Sequence, residues 1–163
     1  MKKIYLMILV LLLTSLQTFS QHLGLTFQEA IKQGILVKNL DSLYLSAVNS
    51  DTNLAVFKTE SEQDSVYGGY KKMLQDLGNF LSSNNFYWDK PTRCYNRIYF
   101  SSNGTIDYFL FNFVGNTEDK PTNEKEIEFQ RLLNIFISDY QFLLKADVKF
   151  AQCSPVTYMP KKK

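Results

Sequence analysis

The segment Tyr95 to Phe113 constrains the fold more than any other part of the chain. Tyr95–Ser101 and Thr105–Phe113 are rich in aromatic and β-branched residues, and Asn103-Gly104 lies between them. Strand-forming runs joined by Asn-Gly are the strongest short-range hairpin signal. A two-residue turn there sets Ser102 opposite Thr105, Phe100 opposite Asp107, Ile98 opposite Phe109 and Asn96 opposite Phe111. Side chains alternate along a strand, so Cys94, Ile98, Phe100, Phe109, Phe111 and Phe113 share one face. Tyr95, Arg97, Tyr99, Tyr108 and Leu110 share the other. A ribbon apolar or aromatic on both faces needs cover on both sides.

The cover has to come from helices. Thr26-Phe27-Gln28-Glu29 and Thr59-Glu60-Ser61-Glu62 both read as capping boxes. The first opens a short helix from Phe27 to Gln33, stopped by Gly34. The second opens a longer one over 60–83, with Val66, Tyr70, Met73, Leu77 and Phe80 at spacings of three and four. Gly68 and Gly69 inside it cost about 1 kcal/mol each relative to Ala, and they allow another element to approach closely. A third helix is expected over 124–140, with Ile127, Phe129, Leu132, Leu133, Ile135 and Phe136 as a broad apolar stripe. Asp41–Val48 reads as a helical turn or two, Asn53–Lys58 as a short strand, and Val148–Tyr158 as the last strand. Pro155 cannot donate to a ladder, so that strand belongs at an edge or ends near the proline. The fold expected is α+β: an antiparallel sheet of three or four strands, the 124–140 helix on one face and the 60–83 helix on the other. An NTF2-like or cystatin-like curved sheet uses the same elements in another strand order.

The N-terminus carries an address. Met1-Lys2-Lys3 is basic, Ile4–Leu13 is unbroken apolar sequence, and Thr18 and Ser20 are small residues at peptidase-reading positions. That is the layout of a secretory signal peptide cleaved near Ser20. The apolar run is half the length needed to span a bilayer, and no second run is long enough. The expectation is a periplasmic or secreted protein with no integral membrane segment after cleavage. Residues 21–163 then form one domain, with a mainly helical 21–90 part and a strand-turn-strand-helix-strand 91–160 part. Loss of Lys2 and Lys3 lowers the basic count from 18 to 16, against 16 acidic residues. A chain without excess positive charge lacks the electrostatic footprint for nucleic acid.

The strand-turn-strand-helix-strand order from Tyr95 to Tyr158 resembles the C-terminal domain of TonB-type energy transducers. The parallels are Asn103-Gly104-Thr105 between two strands, the long amphipathic helix, and the closing Ser154-Pro155-Val156-Thr157-Tyr158 segment. The resemblance implies a periplasmic module whose partners add an extended segment to its sheet edge. A retained anchor, a proline-rich spacer and a Tyr-Pro pair before the domain are missing from the pattern. The leader ending in Phe19-Ser20-Gln21 resembles those of small exported proteins of Bacteroidetes type.

Candidate chemistry is sparse. Glu124 and Glu128 share a helix face, but acids in a first helical turn are favoured by the helix dipole alone. Asp107 falls next to the turn on the phenylalanine face, where the rim of the core accounts for it. Arg97 between Tyr95 and Tyr99, with Tyr108 opposite Tyr99, has the composition of a binding hot spot; the alternative is that helices cover this face. Cys94 and Cys153 are the only cysteines, and export permits a disulfide between them. Strand parity opposes it: if Val148 and Phe150 point to the phenylalanine face, Cys153 points away from Cys94 unless a bulge intervenes, so the bridge stays open. His22 is the only histidine, and there is neither a Gly-x-Ser-x-Gly nor a phosphate-binding glycine loop. No cofactor or metal is implied. These residues point to a non-catalytic exported protein that binds a protein or peptide, through the Val148–Ser154 edge or the Tyr95/Arg97/Tyr99/Tyr108 face. The alternative is a carrier of a small apolar ligand held between sheet and helices.

Overall fold

The structure is a computed structural model that describes residues 22–161. The expected signal peptide, residues 1–20, lies outside the described residues. The elements are β1 (Leu23–Thr26), α1 (Phe27–Lys32), α2 (Val37–Leu43), β2 (Leu45–Ser46), α3 (Glu60–Ser83), β3 (Thr92–Phe100), β4 (Ile106–Phe113), α4 (Asn123–Asp139) and β5 (Phe150–Tyr158). The class is α+β. Among the described residues no helix is long and apolar enough to cross a membrane.

The sheet has five strands in the order β1-β4-β3-β5-β2. β3 runs antiparallel to β4 and β5, while β1 lies parallel to β4 and β2 parallel to β5. The expected three- or four-stranded antiparallel sheet is thus a five-stranded mixed one. Both outer strands come from the N-terminal part, where only two to four residues form each. Asn53–Lys58 is not a strand: Thr52–Leu54 makes a 3-10 turn, and Val56 and Phe57 donate backbone hydrogen bonds to Ser46 and Ala47. The helix expected within Asp41–Val48 lies over Val37–Leu43 instead.

Both capping boxes are present. In each, the threonine hydroxyl accepts from the N–H of the glutamate three residues on, and that carboxylate accepts from the threonine N–H. Gly34, at φ +78°, follows α1. The hairpin register follows the sequence-based pairing from Cys94↔Phe113 to Tyr99↔Tyr108, then slips by one to Phe100↔Ile106. The loop is three residues, Ser102–Gly104, closed by Ser101 and Thr105, with Gly104 at φ +90°. The extra residue bulges at Asp107, which leaves the phenylalanine face.

One core cluster joins Ile98, Phe100, Phe109, Phe111 and Phe113 to residues of both long helices, Val66, Met73 and Leu77 of α3 and Phe129, Leu132 and Leu133 of α4. The 60–83 helix therefore packs on the same face as the 124–140 helix, not on the opposite one. The phenylalanine face is too wide for one helical stripe, and α3 presents only apolar residues to it. In α4 the buried stripe is Phe129, Leu132, Leu133, Phe136 and Ile137, while Ile127 and Ile135 are 57% and 46% exposed. The other face carries a smaller cluster of Tyr99, Leu110 and Ala151 with Leu25, Ala30, Leu40 and Tyr44. Short α1 and α2 serve there because tyrosine and arginine tips need polar partners, which α2 supplies.

The two sheet edges are finished differently. At β1, the Gly24 N–H donates to Asn134 Oδ1 at 2.9 Å, and its carbonyl accepts from Asn134 Nδ2 at 2.9 Å and Gln130 Nε2 at 3.1 Å. Side chains of α4 thus seal that edge. Gly24 permits this approach, since a Cβ there would meet Leu133 at 3.0 Å. At the far edge, β2 pairs only with Phe150 and Ala151.

Candidate functional site

Tyr95, Arg97, Tyr99 and Tyr108 do converge on one face, but α2 engages them. Arg97 Nη2 and Nε donate to Asp41 Oδ1 at 2.6 and 3.1 Å. The Tyr99 hydroxyl donates to the same oxygen at 3.0 Å, and Arg97 Nε also reaches that hydroxyl at 2.9 Å. Tyr99 is fully buried. Burial opposes the Arg97 charge most strongly, but the hydrogen bonds and charge interactions with Asp41 and Tyr99 together outweigh it and push the guanidinium above its ordinary range. Burial likewise pushes Tyr99 up. Tyr95 and Tyr108 are half-buried, with the Phe27 ring 6.1 Å from Tyr95 and the Tyr44 ring 6.4 Å from Tyr108.

Asp107, displaced by the bulge, joins the same side. It accepts from the Tyr44 hydroxyl at 2.7 Å and from Lys149 Nζ at 3.3 Å, and Lys149 sits 5.0 Å from the centre of the Tyr44 ring. These groups form two internal polar clasps that pin α2 to the sheet. Glu128 forms an exposed pair with Arg131 at 2.7 Å, and Glu124 helps cap its own helix, so neither shares a site with the other. His22 Nδ1 lies 2.6 Å from the Ile106 carbonyl oxygen. Among the described residues no three His, Cys, Asp or Glu side chains gather as a metal cluster would require.

The cysteine bridge left open by the sequence does not form: both thiols are free, Cys94 buried and Cys153 exposed. The β3–β5 register runs without a bulge from Thr92↔Tyr158 to Phe100↔Phe150, pairing Cys94 with Val156 and Cys153 with Arg97. Parity therefore puts the two thiols on opposite faces of the sheet. Burial pushes Cys94 up to about 12.

The open part of the molecule lies at β5. The carbonyls of Lys149 and Ala151 accept from Leu45 and Ala47, so odd-numbered residues of this strand direct their backbone groups away from β3. β2 ends at Ser46, and past Ala151 that side of β5 has no strand beside it. The N–H groups of Cys153 and Thr157 point outward there. Pro155, also odd, has no N–H, which is why it sits mid-strand without breaking the β3 ladder. Cys153, Pro155 and Thr157 are exposed. The strand is thus paired along one side and half open along the other. The open part runs from Gln152 to Tyr158 and not along the expected Val148–Ser154.

A cleft of about 870 Å³ borders this edge. Tyr70, Leu74 and Gly78 of α3 form one wall, and Ser154, Val156 and Tyr158 of β5 another. Phe86 and Trp88, from the loop after α3, complete it, with the Trp88 ring stacked 5.1 Å from Tyr158 at 14°. A Cβ on Gly78 would meet nothing within 4 Å. The volume falls in the range of small-molecule and peptide sites. Sequence reasoning missed the cleft because its walls lie far apart in the chain; its local signals were the single Trp and a glycine inside a long helix.

In comparisons with protein-family models, curated proteins and solved structures, none matches this chain.

Proposed function

We propose that the chain is an exported protein that works by binding rather than catalysis, capturing an extended protein or peptide segment along the open half of β5. The observation that carries this reading is the run Gln152–Tyr158, paired with β3 on one side and open on the other beside the 870 Å³ cleft. A strand added there would bond the Cys153 and Thr157 amides, and its alternate side chains would enter the cleft next to Leu74 and Gly78. The secretory leader supports action beyond the cytoplasm, and the resemblance to the TonB C-terminal domain supports strand addition at a sheet edge. The Tyr95/Arg97/Tyr99/Tyr108 face supports an internal role, since Asp41 already occupies the arginine fork.

Thr157→Pro tests the reading. It deletes an outward N–H and spares the β3 ladder, as Pro155 already does. Retention of peptides from a random end-blocked eight-residue pool should fall at least tenfold, with the thermal midpoint nearly unchanged. Undiminished retention would refute strand addition.

A second reading, carriage of a small apolar ligand, is favoured by the aromatic wall formed by Phe86, Trp88 and Tyr158. A rise of several degrees in melting temperature with laurate, and no peptide retention by the parent protein, would select it.

A further inference from the structure

The cleft has a charge and polarity pattern that narrows its occupant, on the reading that β5 captures an extended segment. Among the described residues Lys71 and Lys161 are the only charged ones lining it, and no Asp or Glu does. Lys71 forms no ion pair among the described residues. Lys161 lies 4.5 Å from the centre of the Tyr87 ring and, among the described residues, has only that tyrosine's hydroxyl, at 3.5 Å, as a hydrogen-bond contact. The chain after removal of its first twenty residues is formally neutral, so this acid-free patch is local. Lys72, Lys125 and Lys149, by contrast, are matched with Asp76, Asp89 and Asp107.

A second observation comes from the cleft wall. Tyr70 is only 7% exposed, and its buried hydroxyl turns toward the side chains of Asn96 and Ser154, so it offers the cleft its ring alone. Leu74, Val156 and the Trp88–Tyr158 stack extend this apolar surface, beside the polar Gln75, Asn79, Ser82 and Thr157.

We propose that the cleft selects an acidic, amphipathic β-segment: a peptide alternating apolar residues, which enter the cleft, with carboxylates that meet Lys71 and Lys161 at its rim. Like-charged segments are rejected by the same two lysines. A second copy of this chain fits poorly, because symmetric pairing of two β5 edges would set two Pro155 residues, each without a donor, into the new ladder.

Trp88 is the only tryptophan, so its emission reports on the cleft directly. The probes are two end-blocked eight-residue peptides, one alternating Val and Glu, the other alternating Val and Lys, with laurate as a third. The Val-Glu peptide should bind at least tenfold tighter than the Val-Lys peptide at low salt. The preference should shrink in 1 M NaCl, where charges are screened within about 3 Å, and in the doubly substituted K71Q/K161Q protein. Equal binding of both peptides would overturn acidic selection and leave peptide capture standing. Binding of laurate with neither peptide would overturn capture itself. Gly78→Leu, which projects a side chain into the cleft from a position with open space, should abolish binding in a folded protein; retained binding would overturn the location.

Discussion

Two adjacent glycines in α3 are expected to respond oppositely to the same substitution. Both sit inside a long helix, where Ala is favoured over Gly by about 0.8–1.0 kcal/mol. Gly68 is exposed, and a Cβ on it meets nothing within 4 Å. Gly68→Ala should therefore realise the full gain. Gly69 is buried, and its Cβ would lie 3.0 Å from Phe142 Cζ and 3.3 Å from Cε2. Phe142 cannot easily yield. It is almost wholly buried, with its ring 4.6 Å from Phe100 and 6.1 Å from Phe150. Overpacking of this kind costs about 1–3 kcal/mol, which cancels or exceeds the propensity gain. Gly69→Ala should be neutral to about 2 kcal/mol destabilising, so the two variants should differ by about 1–3 kcal/mol. Urea unfolding measures this. With a slope of about 2 kcal/mol per M, the midpoints should lie roughly 0.5–1.5 M apart, Gly68→Ala higher. A Gly69→Ala midpoint equal to or above that of Gly68→Ala would refute the account of Phe142 as a fixed neighbour.

The Glu29 carboxyl gives a pH dependence. Partial burial pushes it up, but hydrogen bonds from the Thr26 backbone and hydroxyl and from Gln130 outweigh this, and the net shift is downward. A carboxyl lowered in the folded state contributes stability that is complete at neutral pH and is lost as pH falls through and below the ordinary carboxyl range. Glu29→Gln should cost about 1 kcal/mol at pH 7, the typical worth of a helix cap, and the deficit should shrink toward pH 3. Glu126 works in the opposite sense, being pushed up by burial and by Glu29. Chemical denaturation at several pH values measures both; a deficit independent of pH would contradict the linkage. For the thiols, a disulfide-exchange reagent should titrate one group quickly in the native protein, Cys153, and a second, Cys94, only after unfolding. Two fast native thiols, or none in the unfolded chain, would contradict the face assignment.

Local pattern made the hairpin legible almost residue by residue. From Cys94↔Phe113 to Tyr99↔Tyr108 the pairing follows from alternation and a tight turn alone. The one-residue slip at the tip does not, because distant chain decides it. Phe142 N–H donates to the Gly104 carbonyl, Ala146 N–H donates to that of Ser102, and the Gln141 side chain donates to that of Asn103. A Cβ on Gly104 would meet the Phe142 carbonyl at 2.8 Å. That clamp sets a three-residue loop and moves Asp107 to the opposite face, within reach of Tyr44. The capped helices were legible for the same local reason. β1 and β2 were not, since two to four residues carry little periodicity and their partners lie in remote strands. Glycine pairing in α3 was half legible: Gly69 admits the Phe142 ring, while Gly68 faces open space. Of the candidate site, parity grouped Tyr95, Arg97, Tyr99 and Tyr108, but nothing local announced that Asp41 would close the arginine fork. Pro155 signals an open edge, but the local pattern alone sets it over Val148–Ser154, because the two-residue β2 that covers Phe150 and Ala151 leaves no local signal.

The order β1-β4-β3-β5-β2 also governs when the molecule can finish folding. Leu23 waits for Tyr108, and Leu45 waits for Phe150, each roughly a hundred residues later, and such distant pairings slow folding through loop-closure entropy. A chain emerging from its N-terminus therefore exposes β1 until β4 arrives, and β2 until the very last strand arrives. The C-terminal segment acts as the keystone: trimming it from Phe150 onward would strand β2 without a neighbour and strip β3 of one side, so shortened products of this chain should be cleared by proteolysis rather than accumulate as smaller folded forms.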